Sequence, residues 1–176
     1  MTFLLDTQVV SYFLQARRHQ ELAEAAARVR CAIVDEVRLE LTADATRGKL
    51  FERWLPASQL TVLAIELGSP ADAWLSRLQV GVTSGGGRGE RASIALCATR
   101  EDLVFTGMDK NAMWLALREL HAPGERLISL AVFLRRLVDV EATTGEAADD
   151  VLRHSQQMIP TWWANWRSAR GAAHTR

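Results

Sequence analysis

An α/β fold, with a mostly parallel sheet flanked by helices, is what this sequence predicts, on three observations. Short apolar or β-branched runs alternate with stretches of helical periodicity. The first run, residues 3–5, stops abruptly at Asp6, as a buried strand does when it delivers a carboxylate to a sheet's C-terminal edge. Hydrophobic residues make up 48% of the 176-residue chain, enough for one domain with a real core and too many for wholesale disorder.

The elements follow in order. After the strand at 3–5, residues 8–14 read as a helix and the alanine-rich stretch 21–30 as a second. Residues 31–34 are a short β-type run. Asp35 and Glu36 then sit where a helix start favours negative charge, with Val37, Glu40 and Leu41 on adjacent turns. Gly48 breaks this pattern, and 49–55 forms another short helix before Pro56. The β-branched run 61–65 is a strand. Gly68, Ser69 and Pro70 open a helix over 71–78, with Pro70 near the first turn. The Gly-rich stretch 82–88 reads as a flexible loop before a helix at 90–99. A strand at 103–106, a turn at 107–109 and a helix at 111–120 come next, then a last strand at 126–130 running into a helix at 131–138.

From about residue 140 the texture changes, and the chain divides into a domain over 1–139 and an extension over 140–176. Residues 141–154 are acidic, alanine-rich and helical in pattern, and Trp162, Trp163 and Trp166 crowd the segment after them. Three uses fit those tryptophans: packing onto the domain or across a dimer, docking by a partner peptide, or stacking on the bases of a single strand. The tail from 167 is polar and frays.

Composition excludes several functions. No apolar run approaches the ~20 residues of a membrane span. No basic region precedes an apolar one at the N-terminus, so no secretory signal and a cytoplasmic location are expected. Cys31 and Cys97 lack CxxC spacing and read as reduced, buried thiols, and four scattered histidines argue against zinc. Net charge is zero, so any nucleic-acid contact needs a local basic rim. Arg88 and Arg91, which flank Glu90, and Arg17 and Arg18, after the first helix, are the candidates for that rim.

Four acids stand out by placement: Asp6 and Asp109 after β-type runs, Glu90 opening a helix, and Glu40 within one. In a parallel sheet these junctions can share one edge. Converging carboxylates raise one another's pKa, and a hard cation held by oxygen ligands, Mg2+ or Mn2+, relieves the repulsion. Each acid also has a plain structural use, as a helix cap, a solvated face or a turn residue.

The segments Leu4-Leu-Asp6-Thr7-Gln8-Val-Val-Ser11, Ile33-Val-Asp35-Glu36-Val-Arg-Leu-Glu40-Leu41, Gly89-Glu90-Arg91-Ala-Ser-Ile-Ala-Leu96 and Val104-Phe-Thr106-Gly-Met108-Asp109-Lys110-Asn111-Ala112 resemble the four acidic motifs of PIN-domain proteins, close to VapC-like ribonuclease toxins. Residues 126–134 resemble the last strand and helix of that fold, so the likeness spans 1 to about 139. Gln8 stands where the family has Asn, Met108 lengthens the Thr-x-Asp spacing, and Lys110 and Asn111 follow Asp109 in place of a further acid.

The resemblance implies a three-layer sandwich and a Mg2+- or Mn2+-dependent endoribonuclease that hydrolyses RNA with an activated water. It implies Asp6, Glu90 and Asp109 as ligands and Glu40 as a ligand or a holder of water, with Glu36 its rival one turn earlier. Thr7, Thr106 and Asn111 are then candidates to steady those carboxylates. A homodimer and a cognate antitoxin are the implied partners. Two other readings stay open. One is a degenerate PIN-like interaction module without catalysis. The other is a nucleotide-binding protein using loop 84–89 at the helix N-terminus, which needs a strand over 78–82 before it.

Overall fold

The protein is described by a computed structural model that covers residues 1–80, 87–156 and 159–173, with side chains to residue 169. Five strands form one all-parallel sheet: β1 (Thr2–Leu5), β2 (Cys31–Val34), β3 (Thr61–Leu63), β4 (Leu103–Gly107) and β5 (Leu127–Ser129), in the order β3-β2-β1-β4-β5. Helices flank the sheet, giving the three-layer α/β architecture the sequence predicts.

The central strands are apolar throughout because both faces are covered. Leu4 and Leu5 of β1, the whole of β2 and the whole of β4 are buried. The two edge strands are only three residues each, which leaves little unpaired backbone exposed. β1 pairs with β2 through Phe3–Cys31 and Leu4–Ala32, and with β4 from Thr2–Leu103 to Leu5–Thr106. With β1 in the middle and every strand parallel, the ends of β1, β2 and β4 share one edge.

Helices α1 (Thr7–Gln15) and α2 (His19–Arg28) follow β1; α3 (Asp35–Ala43) and α4 (Gly48–Trp54) follow β2. After β3 come α5 (Pro70–Gln79) and α6 (Arg88–Thr99); after β4 come α7 (Lys110–Glu119) and the short α8 (Pro123–Arg126). Pro70 is the first residue of α5, and the Ser69 hydroxyl caps it by accepting from the Asp72 amide at 3.2 Å. Leu78 and Gln79, where a phosphate-loop reading requires a strand, instead complete α5. Most of the Gly-rich stretch, 82–86, lies outside the described residues.

One buried cation fixes the far end of α6. The Arg126 guanidinium, 7% exposed, donates to the carbonyls of Cys97, Arg100 and Leu103, gathering the last carbonyls of that helix and the start of β4. A cation there suits the negative end of the helix dipole. Cys31 and Cys97 are free and buried, and burial pushes both thiols up to about 12.

The last helices are α9 (Leu130–Asp139), α10 (Gly145–His154) and α11 (Thr161–Ala173). α10 packs on α1 and α9, and Ala148, Val151, Leu152 and Trp163 join the same core as Phe13, Phe105 and Phe133. Trp163 donates through Nε1 to Asp149 at 2.7 Å, and its ring lies edge-on to Trp162 and tilted against Trp166, with centroids 5.7 and 4.9 Å away. Trp163 is buried in that core, and Trp162 and Trp166 are half-buried against it. α10 begins four residues later than its composition suggests: Thr144 caps it by accepting from the Ala147 amide, and Glu141 adopts a left-handed φ of 57° before it. No helix among the described residues is long and apolar enough to cross a membrane.

Candidate active site

Asp6 is the residue after the central strand, and its amide donates to the Thr106 carbonyl of β4 at 3.0 Å. That bond carries the pairing one step past the end of β1 and fixes the carboxyl at the C-terminal edge. Asp109 follows the neighbouring β4 and serves as N-cap of α7, accepting from the amides of Asn111 at 2.8 Å and Ala112 at 3.0 Å. Glu40 sits in α3, after the strand on the other side of β1. Glu90 lies in the first turn of α6, whose N-terminus returns to the same edge.

Two contacts join these elements. The Thr7 hydroxyl, at the start of α1, donates to Glu40 Oε2 at 2.5 Å. The Gly89 amide donates to Glu40 Oε1 at 2.9 Å. Both oxygens of Glu40 are thus oriented, and α1, α3 and α6 are tied together by one carboxylate. The approach at Gly89 is so close that a Cβ there would lie 2.8 Å from Val37 Cγ2, 2.9 Å from Glu40 Oε2 and 3.1 Å from Thr7 Oγ1. Only glycine fits. Two residues earlier, Gly87 caps α6 with a left-handed φ of 70°, and a Cβ on it would fall 2.9 Å from Glu90 Oε2.

The electrostatics single out Asp6. It is wholly buried, and neither carboxylate oxygen accepts a hydrogen bond of good geometry. Burial above all, then the charges of Glu90, Glu40 and Asp109, push its carboxyl up to about 8, against a smaller opposite pull from the Thr7 amide. Glu90 is also raised, by burial first and then by Asp109 and Glu40, while Arg91 pulls it down. The four acids expected from the sequence therefore act on one another. Glu40, not Glu36, is the α3 acid whose charge bears on Asp6 and Glu90. Glu36, a turn earlier, has a buried Oε2 with no partner of its own.

The supporting residues divide. Thr7 steadies Glu40 as described. Thr106 is buried, and its hydroxyl points to the Val104 carbonyl at 3.5 Å, not to a carboxylate. Asn111 contributes its backbone amide to Asp109, with its side chain exposed. Ser93, one turn after Glu90, is fully buried with a hydroxyl that has no partner. Among the cations, Arg88 lies at the start of α6, and Arg91 acts on Glu90. Arg17 sits in the left-handed turn after α1. Arg18 instead bridges Glu21 at 2.9 Å and Asp150 at 2.5 Å, tying α2 to α10.

Sequence reasoning passed over two features. One is the Gly89 amide as a donor to Glu40, signalled only by the glycine before Glu90. The other is Trp114 on α7, 62% exposed, with Lys110 and Arg118 one turn to either side.

The donor set suits a hard divalent cation. It is all carboxylate oxygen, with no thiol or imidazole, and it includes two buried acceptor atoms that lack a hydrogen bond of good geometry. As placed, the carboxylates stand within electrostatic reach, and among the described residues no three His, Cys, Asp or Glu side chains form a ready metal cage. Comparison with protein-family models, with characterised proteins and with solved structures finds no match to this chain.

Proposed function

We propose that this protein is a divalent-cation-dependent endoribonuclease of the PIN-like, VapC-like kind, hydrolysing phosphodiester bonds of RNA. The observation that carries this reading is Asp6: a buried carboxyl at the end of the central strand, with no well-formed hydrogen bond to either oxygen and three further acids around it. Ionising such a group inside the fold costs stability, since an unpaired buried charge is strongly unfavourable. A strongly shifted carboxyl gathered with other acids at a sheet's C-terminal edge is the mark of a site built for chemistry.

Asp6, Glu90 and Asp109 would hold Mg2+ or Mn2+, with Glu40 as fourth ligand or as acceptor for a water. When bound, such an ion supplies Lewis acidity, lowering the pKa of water and balancing charge that grows on a phosphodiester. The chain's own part is positional. Thr7 and the Gly89 amide hold Glu40 in one orientation, and the first amides of α7 hold one oxygen of Asp109, leaving the other for the site. Arg88 and Arg91 stand beside Glu90 in the chain to receive the phosphates of a strand that must cross an acidic pocket. The same resemblance extends the proposal to a homodimer and to a small antitoxin partner.

A second reading is favoured by the absence of a further acid after Asp109, where Lys110 and Asn111 stand: an interaction module that no longer binds metal. Cleavage of single-stranded RNA with and without Mg2+ separates the two. The nuclease reading expects cleavage that needs the ion, stops with EDTA and falls to background in Asp6→Asn and Asp109→Asn. Cleavage indifferent to EDTA, or intact in Asp6→Asn, would overturn it. Absence of both cleavage and ion binding would leave the module.

A further inference from the structure

α7 carries a stripe that the carboxylate site does not use. Lys110, Trp114 and Arg118 recur every four residues, so they stand one above another on a single face of the helix. All three are exposed: Trp114 is 62% exposed, and the Arg118 side chain is 73% exposed even while it pairs with Glu119 at 2.8 Å. Beside the stripe lies a groove of about 530 Å³, lined by Asn111, Trp114, Leu115, Leu117 and Arg118. α7 begins at Lys110, directly after its N-cap Asp109, so with a rise of ~1.5 Å per residue Trp114 stands ~8 Å further along the axis than position 109.

The local charge is positive. Glu119 is shared between Arg118 and Arg77, the latter at 2.5 Å, while Lys110 makes no ion pair among the described residues. Lys110, Arg118 and Arg77 thus outnumber Glu119 and Asp109 along this helix, in a chain whose net charge is zero. That balance argues against a second copy as the occupant. A twofold interface sets a patch against itself, which here would bring the excess cations face to face. A polyanion with flat apolar rings meets both halves of the patch. An aromatic platform between cations is how single-stranded nucleic acid is bound without sequence readout.

We propose that the Lys110–Trp114–Arg118 face of α7 is a subsite for the single-stranded RNA flanking the scissile phosphate, with a base stacked on the Trp114 indole and phosphates on the two cations. This rests on the ribonuclease reading, and it adds that the substrate is unpaired on the Asp109 side of the cut. A duplex, with its bases stacked on each other, cannot use the platform.

The test is the affinity of a short labelled single-stranded RNA for the whole protein, with Ca2+ replacing Mg2+ and the strand checked to be intact. Trp114→Ala is expected to raise Kd by about tenfold or more, the loss of one stacked base, and Trp114→Phe to restore most of it. Lys110→Ala and Arg118→Ala are each expected to lower the slope of log Kd against log salt by about 0.7. A duplex of the same sequence should be indifferent to Trp114. If wild type binds and cuts RNA but Trp114→Ala binds as tightly as wild type, the subsite is wrong and the nuclease reading stands. If Trp114→Ala changes only the oligomeric state, the face is an interface between copies and the proposal fails. If wild type neither binds nor cuts RNA, both readings fall together.

Discussion

At the scale of single residues, Asp6 sets the pH behaviour. Its folded pKa of about 8 lies above the ordinary 3.8, because burial and three neighbouring acids disfavour the charged form. The folded state therefore holds this proton more tightly than the unfolded state. The stability linked to Asp6 is fully present below about pH 4, declines between pH 4 and 8, and is gone above. A tenfold tighter hold on a proton is worth about 1.4 kcal/mol, so a rise this large amounts to several kcal/mol. Asp6→Asn is expected to raise the Tm of metal-free protein at pH 8 and to flatten most of its decline between pH 4 and 8. Thermal melts across that range in EDTA check this. A variant less stable than wild type at pH 8 would mean that Asp6 is paired after all.

Asp6 and Asp109 were legible in the sequence because each follows an apolar run, and a parallel sheet puts such positions on one edge. Glu36 and Glu40 could not be told apart, since they lie one turn apart on the same helix. What decides between them is a pair of hydrogen bonds from Thr7 and Gly89, 33 and 49 residues away along the chain. Local periodicity holds no record of contacts that distant.

At the scale of elements, the site depends on how closely the N-terminus of α6 meets α3. Gly89→Ala would drive a methyl group into Val37, Glu40 and Thr7, and the cost of such overpacking is about 1–3 kcal/mol. The strain falls on two groups that orient the site, so activity is expected to fall further than stability suggests. Gly124→Ala is the control: a methyl group there has nothing within 4 Å and should be neutral. Denaturant melts and cleavage rates on both variants check the pair. Equal behaviour would mean that the approach at Gly89 is slack.

The central strands were legible because burial on both faces demands unbroken apolar runs. Their helices were legible from turn residues such as Pro70. Boundaries slipped where a cap outweighed composition. The acidic, alanine-rich stretch from 141 has helix-forming content throughout, yet the helix waits for the Thr144 hydroxyl to satisfy the Ala147 amide. Trp114 went unremarked for a different reason: an aromatic inside an amphipathic pattern reads as core, and only the folded chain shows it facing outward.

At the scale of the molecule, α10 and the tryptophans of α11 share a core with the rest. Val151 and Leu152 pack where α10 meets α1 and α9, Arg18 reaches Asp150, and Trp163 is 3% exposed. Trp163→Ala is expected to cost about 3–5 kcal/mol, as for other buried aromatics, while unfolding remains a single transition. Calorimetric unfolding checks this. Two separate transitions would show that the C-terminal helices fold as a unit of their own.

Everything proposed for this chain turns on an ion completing the Asp6 site, and calorimetric titration of Mg2+ into EDTA-stripped protein tests that most directly. Run at about pH 7 in buffers of different ionisation heat, it reads affinity and proton release together. A carboxyl with a pKa of about 8 is mostly protonated at that pH and must give up its proton to bind the cation. The expected result is saturable binding with release of most of one proton per chain, and loss of both in Asp6→Asn. Absence of binding, or binding that Asp6→Asn leaves unchanged, would contradict it.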